Sequence, residues 1–348
     1  MNTEEKYMRR CLTLAKKGLG NTYPNPLVGC VIVYNDQIIG EGWHQKAGSP
    51  HAEVNAINSV KDLSKLKEAT LYVNLEPCSH HGKTPPCSDL IIEKGIKKVV
   101  IGTVDPNPQV AGNGVQKLMH NCEEMDVGFL EDECEALNKR FFTFQRAKRP
   151  YVILKWAETQ DGFIARKTQE IGKSTWITNP YSKQLVHKWR SEEQGILVGL
   201  NTALKDNPRL NTRLWEGKNP VRMLIDENLE SFSSPVKLHL LDRQIKTIVF
   251  CDYPEENQEN LIFESIDFDK EVTAQIMTRL YEHNLQSVIV EGGRQTLQAF
   301  IDSDLWDEAR VFSGESYFGK GIKAPDFQQK ISNKKFIQKD ELSIYYND

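Results

Sequence analysis

Four residues in the first quarter of the chain have the types and spacing to run metal chemistry. The stretch PHAEVNAINS sets His51 and Glu53 one residue apart at what reads as a helix start. Alone, the pair has an ordinary explanation, an acidic residue complementing the helix dipole and a surface histidine near the cap. Further on, LEPCSHHGKTPPCSDLIIEKG carries Cys78 and Cys87 between the β-rich ATLYVNL and an amphipathic run, the pattern of strand, loop and helix. Pro85 and Pro86 suit a helix entrance, so Cys87 is expected in the first helical turn, where the dipole and free N–H groups favour thiolate.

His51, Cys78 and Cys87 make a three-ligand set that leaves a fourth position open, the arrangement of catalytic zinc. Glu53 can then reach a water at that position without binding the metal, and move protons to a substrate nitrogen and to leaving ammonia. This is the logic of the zinc deaminases. A structural zinc would need a fourth ligand, which His80 or His81 could supply. The eight residues SHHGKTPP also separate the cysteines more widely than Pro-Cys-x-x-Cys does. The combination of H-x-E, Pro-Cys and a helix-entry cysteine nevertheless favours the catalytic ion.

These residues need elements to hold them. At 348 residues, 39% hydrophobic and 26% charged, the chain has material for two cores rather than one. Six of its seven cysteines, Cys11, Cys30, Cys78, Cys87, Cys122 and Cys134, precede residue 140, and only Cys251 follows. An odd count points to thiols and ligands rather than a disulfide framework. A net charge of −4 offers no broad basic field for nucleic acid and favours small substrates. The charged, amphipathic opening MNTEEKYMRRCLTLAKKG is not a secretory signal, and no stretch is apolar enough to span a membrane. A soluble, cytoplasmic protein is expected.

After the cysteines, KKVVIGTVDPNPQVAGNGVQKLM alternates β-rich and helical runs, which predicts an α/β layer fold with VDPNPQVAGNG as a substrate-side or plain crossover loop. LEDECEALNKRFFTFQRAKRP predicts one helix closing a first domain, with the boundary near residue 147. The halves are thus 1–147 and 148–348. The second half opens with YVILKWAETQDGFIA, a β run turning at Asp161-Gly162. It continues through the helix PYSKQLVHKWRSEE and the strand GILVGLNTAL, and near its end LQSVIVEGGRQTLQAFID predicts strand, Gly-Gly and helix. That turn could bring backbone to a phosphate, but it lacks G-x-G-x-x-G, so no dinucleotide-binding Rossmann fold follows.

TYPNPLVGCVIV, GWHQKAGSPHAEVNAI and EPCSHHGKTPPC together resemble the deaminase half of the bifunctional riboflavin-biosynthesis deaminase/reductase family. The resemblance implies a cytidine-deaminase-like three-layer domain in which Asn25, His44, His80 and Lys83 contact the pyrimidine or its ribose phosphate. LKWAETQDGFIA, STWIT, HKWR, ILVGLNTALKDNPRL and VEGG resemble the reductase half of the same family, implying a dihydrofolate-reductase-like domain that uses NADPH. It would set Ala157, Trp176, Thr202, Asp206, Gly292, Gly293, Arg294, Gln295, Thr296 and Leu297 near the cofactor. Ser174, Arg190, Leu210, Arg213 and Glu291 would lie near the substrate, with Arg190 and Arg213 suited to its phosphate. Lys155 and Asp206 are candidates for proton handling.

Three departures mark the second half: TQDG replaces the usual LDG turn, RKTQEIGKS is longer than typical, and Lys173 stands where an acidic residue often precedes the serine of SxW. The implied reactions are zinc-dependent hydrolytic deamination of a phosphoribosyl pyrimidine, followed by NADPH-dependent reduction of its ribosyl group to ribityl. The partner is therefore a small molecule, with neither nucleic acid nor membrane, and homo-oligomer formation is left open. The alternative is a single-activity zinc nucleoside or tRNA deaminase with a C-terminal domain that is not a reductase.

Overall fold

The protein is described by a computed structural model covering residues 3–80, 85–107, 111–168 and 176–347. It divides into two compact units, Met1–Lys148 and Arg149–Asp348.

The N-terminal unit runs α1 (Thr3–Ala15), β1 (Gly29–Tyr34), β2 (Gln37–Trp43), α2 (Ala52–Ser59), β3 (Thr70–Val73), α3 (Cys87–Glu93), β4 (Lys98–Ile101), α4 (Asn113–Met119), β5 (Glu124–Val127), α5 (Glu131–Leu137) and α6 (Lys139–Ala147). Its five-stranded sheet has the order β2-β1-β3-β4-β5. β1 is antiparallel to both neighbours, whereas β3, β4 and β5 are parallel. Alternation along the strands separates two cores. Cys30, Ile32, Leu71, Val73, Val99 and Ile101 face α2, α3 and α4, and Val31, Val33, Tyr72 and Val100 face α1 and α5. The result is three layers with the sheet in the middle.

Two details set the position of α2. Gly40 and Gly42 of β2 leave no room for a side chain: a Cβ on Gly42 would stand 2.5 Å from the Ala56 nitrogen and 2.6 Å from the Asn55 Cβ. The helix therefore lies directly against the strand. The segment expected to be one closing helix is two, α5 and α6, broken at Asn138. The side chain of Asn138 accepts from the Leu27 N–H at 2.8 Å and donates to the Leu27 carbonyl at 2.9 Å. The break serves that long-range contact, which no local pattern announces.

The C-terminal unit continues with β6 (Tyr151–Glu158), β7 (Phe163–Ala165), α7 (Pro180–Glu192), β8 (Gly195–Gly199), α8 (Leu200–Asp206), β9 (Val221–Ile225), β10 (Thr247–Cys251), β11 (Leu261–Ser265), α9 (Val272–Glu282), β12 (Ser287–Val290), α10 (Arg294–Asp302), β13 (Glu308–Ser313), β14 (Ile322–Lys323), β15 (Asn333–Ile337) and β16 (Asp340–Tyr346). Nine strands form one sheet in the order β11-β10-β9-β8-β12-β6-β13-β16-β15, parallel except that β16 runs antiparallel to both its neighbours, β13 and β15. Helices α9 and α10 cover one face and α7 and α8 the other. GILVGLNTAL is thus strand only to Gly199 and helix thereafter. The Asp161-Gly162 turn is real: Gly162 has φ +76, and Asp161 accepts from Thr159 Oγ1 at 2.6 Å and from the Gly319 N–H at 2.7 Å. Among the described residues no helix is long and apolar enough to cross a membrane.

The substitution Gly42→Ala should push α2 off β2 and destabilise the N-terminal unit by about 1–3 kcal/mol, the usual cost of overpacking. Urea unfolding with hydrogen exchange at the α2 amides checks this, and ammonia release should fall while reduction by the C-terminal unit is unchanged.

Candidate active sites

His51 caps α2 with extended backbone (φ −71, ψ 167) and makes no side-chain cap. Its ring turns instead to the loop after β3, where Nδ1 lies 3.6 Å from the Cys78 Sγ and 3.4 Å from the Cys87 Sγ. Among the described residues these three ligand atoms are a cluster whose members all lie within 4.8 Å of one another. Two sulfurs and one imidazole nitrogen are a soft, tetrahedral-tolerant donor set that suits zinc.

Cys87 begins α3, and its backbone N–H donates to the Cys78 Sγ at 3.3 Å, so the helix terminus favours the Cys78 thiolate. The neighbouring Cys87 side chain lowers Cys78 further, whereas the Cys78 sulfur, burial and the nearby Glu53 raise Cys87. His51 is pulled up by its contact with Cys78.

Glu53, in the first turn of α2, is buried beside the cluster, and burial followed by the Cys78 charge raises it to about 7. Asn25 and His44 are brought together: the Asn25 Nδ2 donates to the His44 Nε2 at 3.0 Å, and the His44 Nδ1 then donates to the Pro50 carbonyl at 3.1 Å. Burial lowers His44, keeping it neutral in this tautomer, and its ring stands edge-on to His51 with centroids 5.4 Å apart. His80 is exposed. Lys83 and His81 lie outside the described residues.

The composition of the neighbouring loop hides another participant. Glu76 is buried, and its carboxylate accepts from the N–H groups of Asp105, Gly112, Gly114 and Val115. An acidic residue between a buried strand and Pro-Cys was the available signal. Asp105 is raised by burial to about 6, with Cys78 and His80 close enough for their charges to act on it.

In the C-terminal unit a cavity of about 990 Å³ opens at the carboxyl ends of β6, β8, β9 and β12, where parallel sheets place ligands. Lys155, Ala157, Trp176, Thr202, Asp206, Leu210, Arg213 and the turn from Glu291 to Thr296 line it. Leu297 does not: its side chain is buried in the core beneath α10, on the side of the helix away from the cavity-lining Thr296 and Ala299. Ser174 and most of the long segment before it lie outside the described residues. The Gly-Gly turn owes its glycines to close packing, since a Cβ on Gly292 would meet the Thr296 Cβ at 2.6 Å. Leu210 adopts the left-handed φ of +49 while buried, a costly conformation for a leucine that packing holds in place.

Arg190 lines the same cavity. Its guanidinium forks onto Glu291 at 3.2 and 2.8 Å, and Lys155 approaches the same carboxylate at 3.9 Å. Burial would raise Glu291, but the charges of Arg190 and Lys155 hold it at about 2. Arg190 is therefore held by Glu291 at the cavity wall. Arg213 and two cavity residues not singled out in the sequence, Lys183 and Arg209, add further cations to the lining. Lys183 stacks on Trp176 at 3.5 Å. The ring of His187 in HKWR accepts from the Arg213 N–H at 3.2 Å, and burial, then Arg190 and Arg213, lower it to about 4.

Fold and sites together define an enzyme that joins a zinc-dependent deaminase unit of cytidine-deaminase type to an NADPH-dependent reductase unit. Residues 1–103 match the cytidine and deoxycytidylate deaminase zinc-binding region, and residues 150–342 match the RibD C-terminal domain. The chain belongs to the RibD family. It is 42% identical over 331 residues to the riboflavin biosynthesis protein RibD of Aquifex aeolicus, covering 93% of this chain and 90% of that one. It is 41% identical over 335 residues to the RibD of Actinobacillus pleuropneumoniae, with 93% and 87% covered. The crystal structure of a diaminohydroxyphosphoribosylaminopyrimidine deaminase/5-amino-6-(5-phosphoribosylamino)uracil reductase from Thermotoga maritima superposes with a TM-score of 0.89 at 41% identity, over 99% of each chain. A C-terminal domain that is not a reductase is thereby set aside.

His187 gives a pH test. Its folded-state value lies below the usual 6.5, so the stability it contributes is complete above pH 6.5 and is lost as the pH falls from there toward 4. The stability difference between the native chain and His187→Gln should shrink over that window, measured by urea unfolding at a series of pH values.

Proposed function

We propose that the N-terminal unit deaminates 2,5-diamino-6-(5-phosphoribosylamino)pyrimidin-4(3H)-one and that the C-terminal unit reduces the product, 5-amino-6-(5-phosphoribosylamino)uracil, at its ribosyl group. The observation that carries the first half is the His51 Nδ1 set 3.4 and 3.6 Å from two sulfurs, with the buried Glu53 beside them. In this reading residues 1–147 form the deaminase domain and 148–348 the reductase domain, acting in the cytoplasm on a small molecule without nucleic acid.

His51, Cys78 and Cys87 would hold the zinc, which when bound supplies the Lewis acidity that makes water a nucleophile near neutral pH. Glu53 takes the proton of the attacking water and passes protons to the pyrimidine nitrogen and the departing ammonia. A carboxyl held near 7 can both accept and give a proton at physiological pH. Asn25, with its amide oxygen turned away from His44, can offer an acceptor to the ring edge, and the neutral His44 holds that amide in place. His80 and Lys83 are assigned to the ribose phosphate side.

In the C-terminal cavity, NADPH supplies hydride when bound. Ala157, Trp176, Thr202, Asp206 and the segment Gly292–Thr296 are assigned to the cofactor. Arg190, Arg213, Leu210, Ser174 and Glu291 are assigned to the substrate, with Glu291 orienting the Arg190 guanidinium. Lys155 lies against that carboxylate, and burial lowers it from the ordinary lysine value, which eases release of a proton to the opening ribose ring. The deciding experiment supplies the diaminopyrimidinone ribosyl phosphate with zinc and NADPH and follows ammonia and cofactor absorbance separately; ammonia without NADPH oxidation would leave only the first half standing.

Glu53→Gln should keep zinc, by metal analysis, and lose single-turnover ammonia release, because an amide neither takes nor returns the proton. Arg190→Ala should leave ammonia release unchanged and lower kcat/KM for reduction by about one to two decades, the cost of about 1.5–3 kcal/mol for unpairing a buried charged hydrogen bond.

A further inference from the structure

Glu76 has no place in the chemistry above, yet it has more backbone partners than any residue there. One carboxylate oxygen accepts from Asp105 N–H at 3.1 Å and Gly112 N–H at 3.0 Å, the other from Gly114 N–H at 2.8 Å and Val115 N–H at 3.1 Å. Its own N–H donates to the Thr103 carbonyl at 2.9 Å. The side chain is 5% exposed. Gly114 approaches so closely that an added Cβ would meet the Pro77 carbonyl at 2.1 Å.

The contacts join two segments that leave the same edge of the sheet. Cys78 follows the carboxyl end of β3, and residues 102–107 follow the carboxyl end of β4, its parallel neighbour. Ligands of α/β sheets bind along such edges. Asp105 at the near side of the clamp is half-buried, within reach of the charges of Cys78 and His80.

We infer that Glu76 is a positioning residue for deamination: it clamps residues 105–107 and 111–115 against the Pro77-Cys78 segment, so that the polar stretch around Asp105 forms one wall of the substrate's berth beside the metal ligands. This rests on deamination by the N-terminal unit. A carboxylate is required because both oxygens face two N–H donors. Glutamine would turn an NH2 group toward one of those donor pairs, replacing two attractions with repulsion.

The test uses the full zinc-loaded chain and two variants. Glu76→Gln removes the acceptor, and Gly114→Ala keeps it but displaces the donors. In both, KM for the diaminopyrimidinone substrate should rise about tenfold or more while kcat stays within about threefold. Zinc should remain bound, NADPH oxidation with the deaminated intermediate should be unchanged, and hydrogen exchange at Asp105, Gly112, Gly114 and Val115 should quicken. Loss of zinc, or a fall in kcat at constant KM, would show that Glu76 supports the metal cradle or the chemistry instead. Native-like KM despite quickened exchange would reduce it to a stabilising contact. An unmodified chain that released no ammonia would overturn the deaminase reading itself, which these variant outcomes leave untouched.

Discussion

Like charges crowded into a buried pocket are the constraint on which the N-terminal unit depends. Two sulfurs and the Glu53 carboxylate crowd together, Glu53 and Cys87 buried and Cys78 half-buried, and the positive groups facing them are one imidazole and the end of a short helix. Such a set is balanced by a divalent cation, and the same crowding keeps Glu53 near neutrality where a carboxyl can shuttle protons. The three-layer architecture serves this. Glycines in β2 draw α2 inward, and parallel β3 and β4 deliver the cysteine segment and the segment around Asp105 to one edge.

Three buried carboxylates show how one chain sets different fates for the same group. Glu53 has few partners for its charge, so burial dominates and the proton is retained to about 7. Glu291 sits between Arg190 and Lys155 and stays ionised down to about 2. Glu76 is met by backbone N–H groups on both oxygens. Proton transfer, ion pairing and mechanical support thus follow from what surrounds the carboxylate rather than from its chemistry.

The parts legible in the sequence were those written locally. H-x-E, Pro-Cys and the helix entrance at Cys87 lie within short windows, and so do the Asp161-Gly162 turn and the strand, Gly-Gly, helix unit. What stayed hidden depends on partners far away in the chain. The donors to Glu76 are 29 to 39 residues distant, Arg190 and Glu291 are 101 apart, and Asn138 reaches back 111 residues to Leu27. An isolated arginine near a cavity suggests a phosphate, and only the fold reveals the glutamate that orients it. The contact of the Cys87 N–H with the Cys78 sulfur, nine residues earlier, was hidden for a similar reason.

The contact between Asn138 and Leu27 bears on synthesis. A chain that leaves the ribosome from its N-terminus presents the residues of β1 to β4, with both cysteines, long before residue 138 emerges. Until then the Leu27 backbone lacks the amide that completes its hydrogen bonds at the base of β1. The metal-binding half is therefore translated early, and the hydrogen bonds that close the base of β1 are completed only when residue 138 arrives.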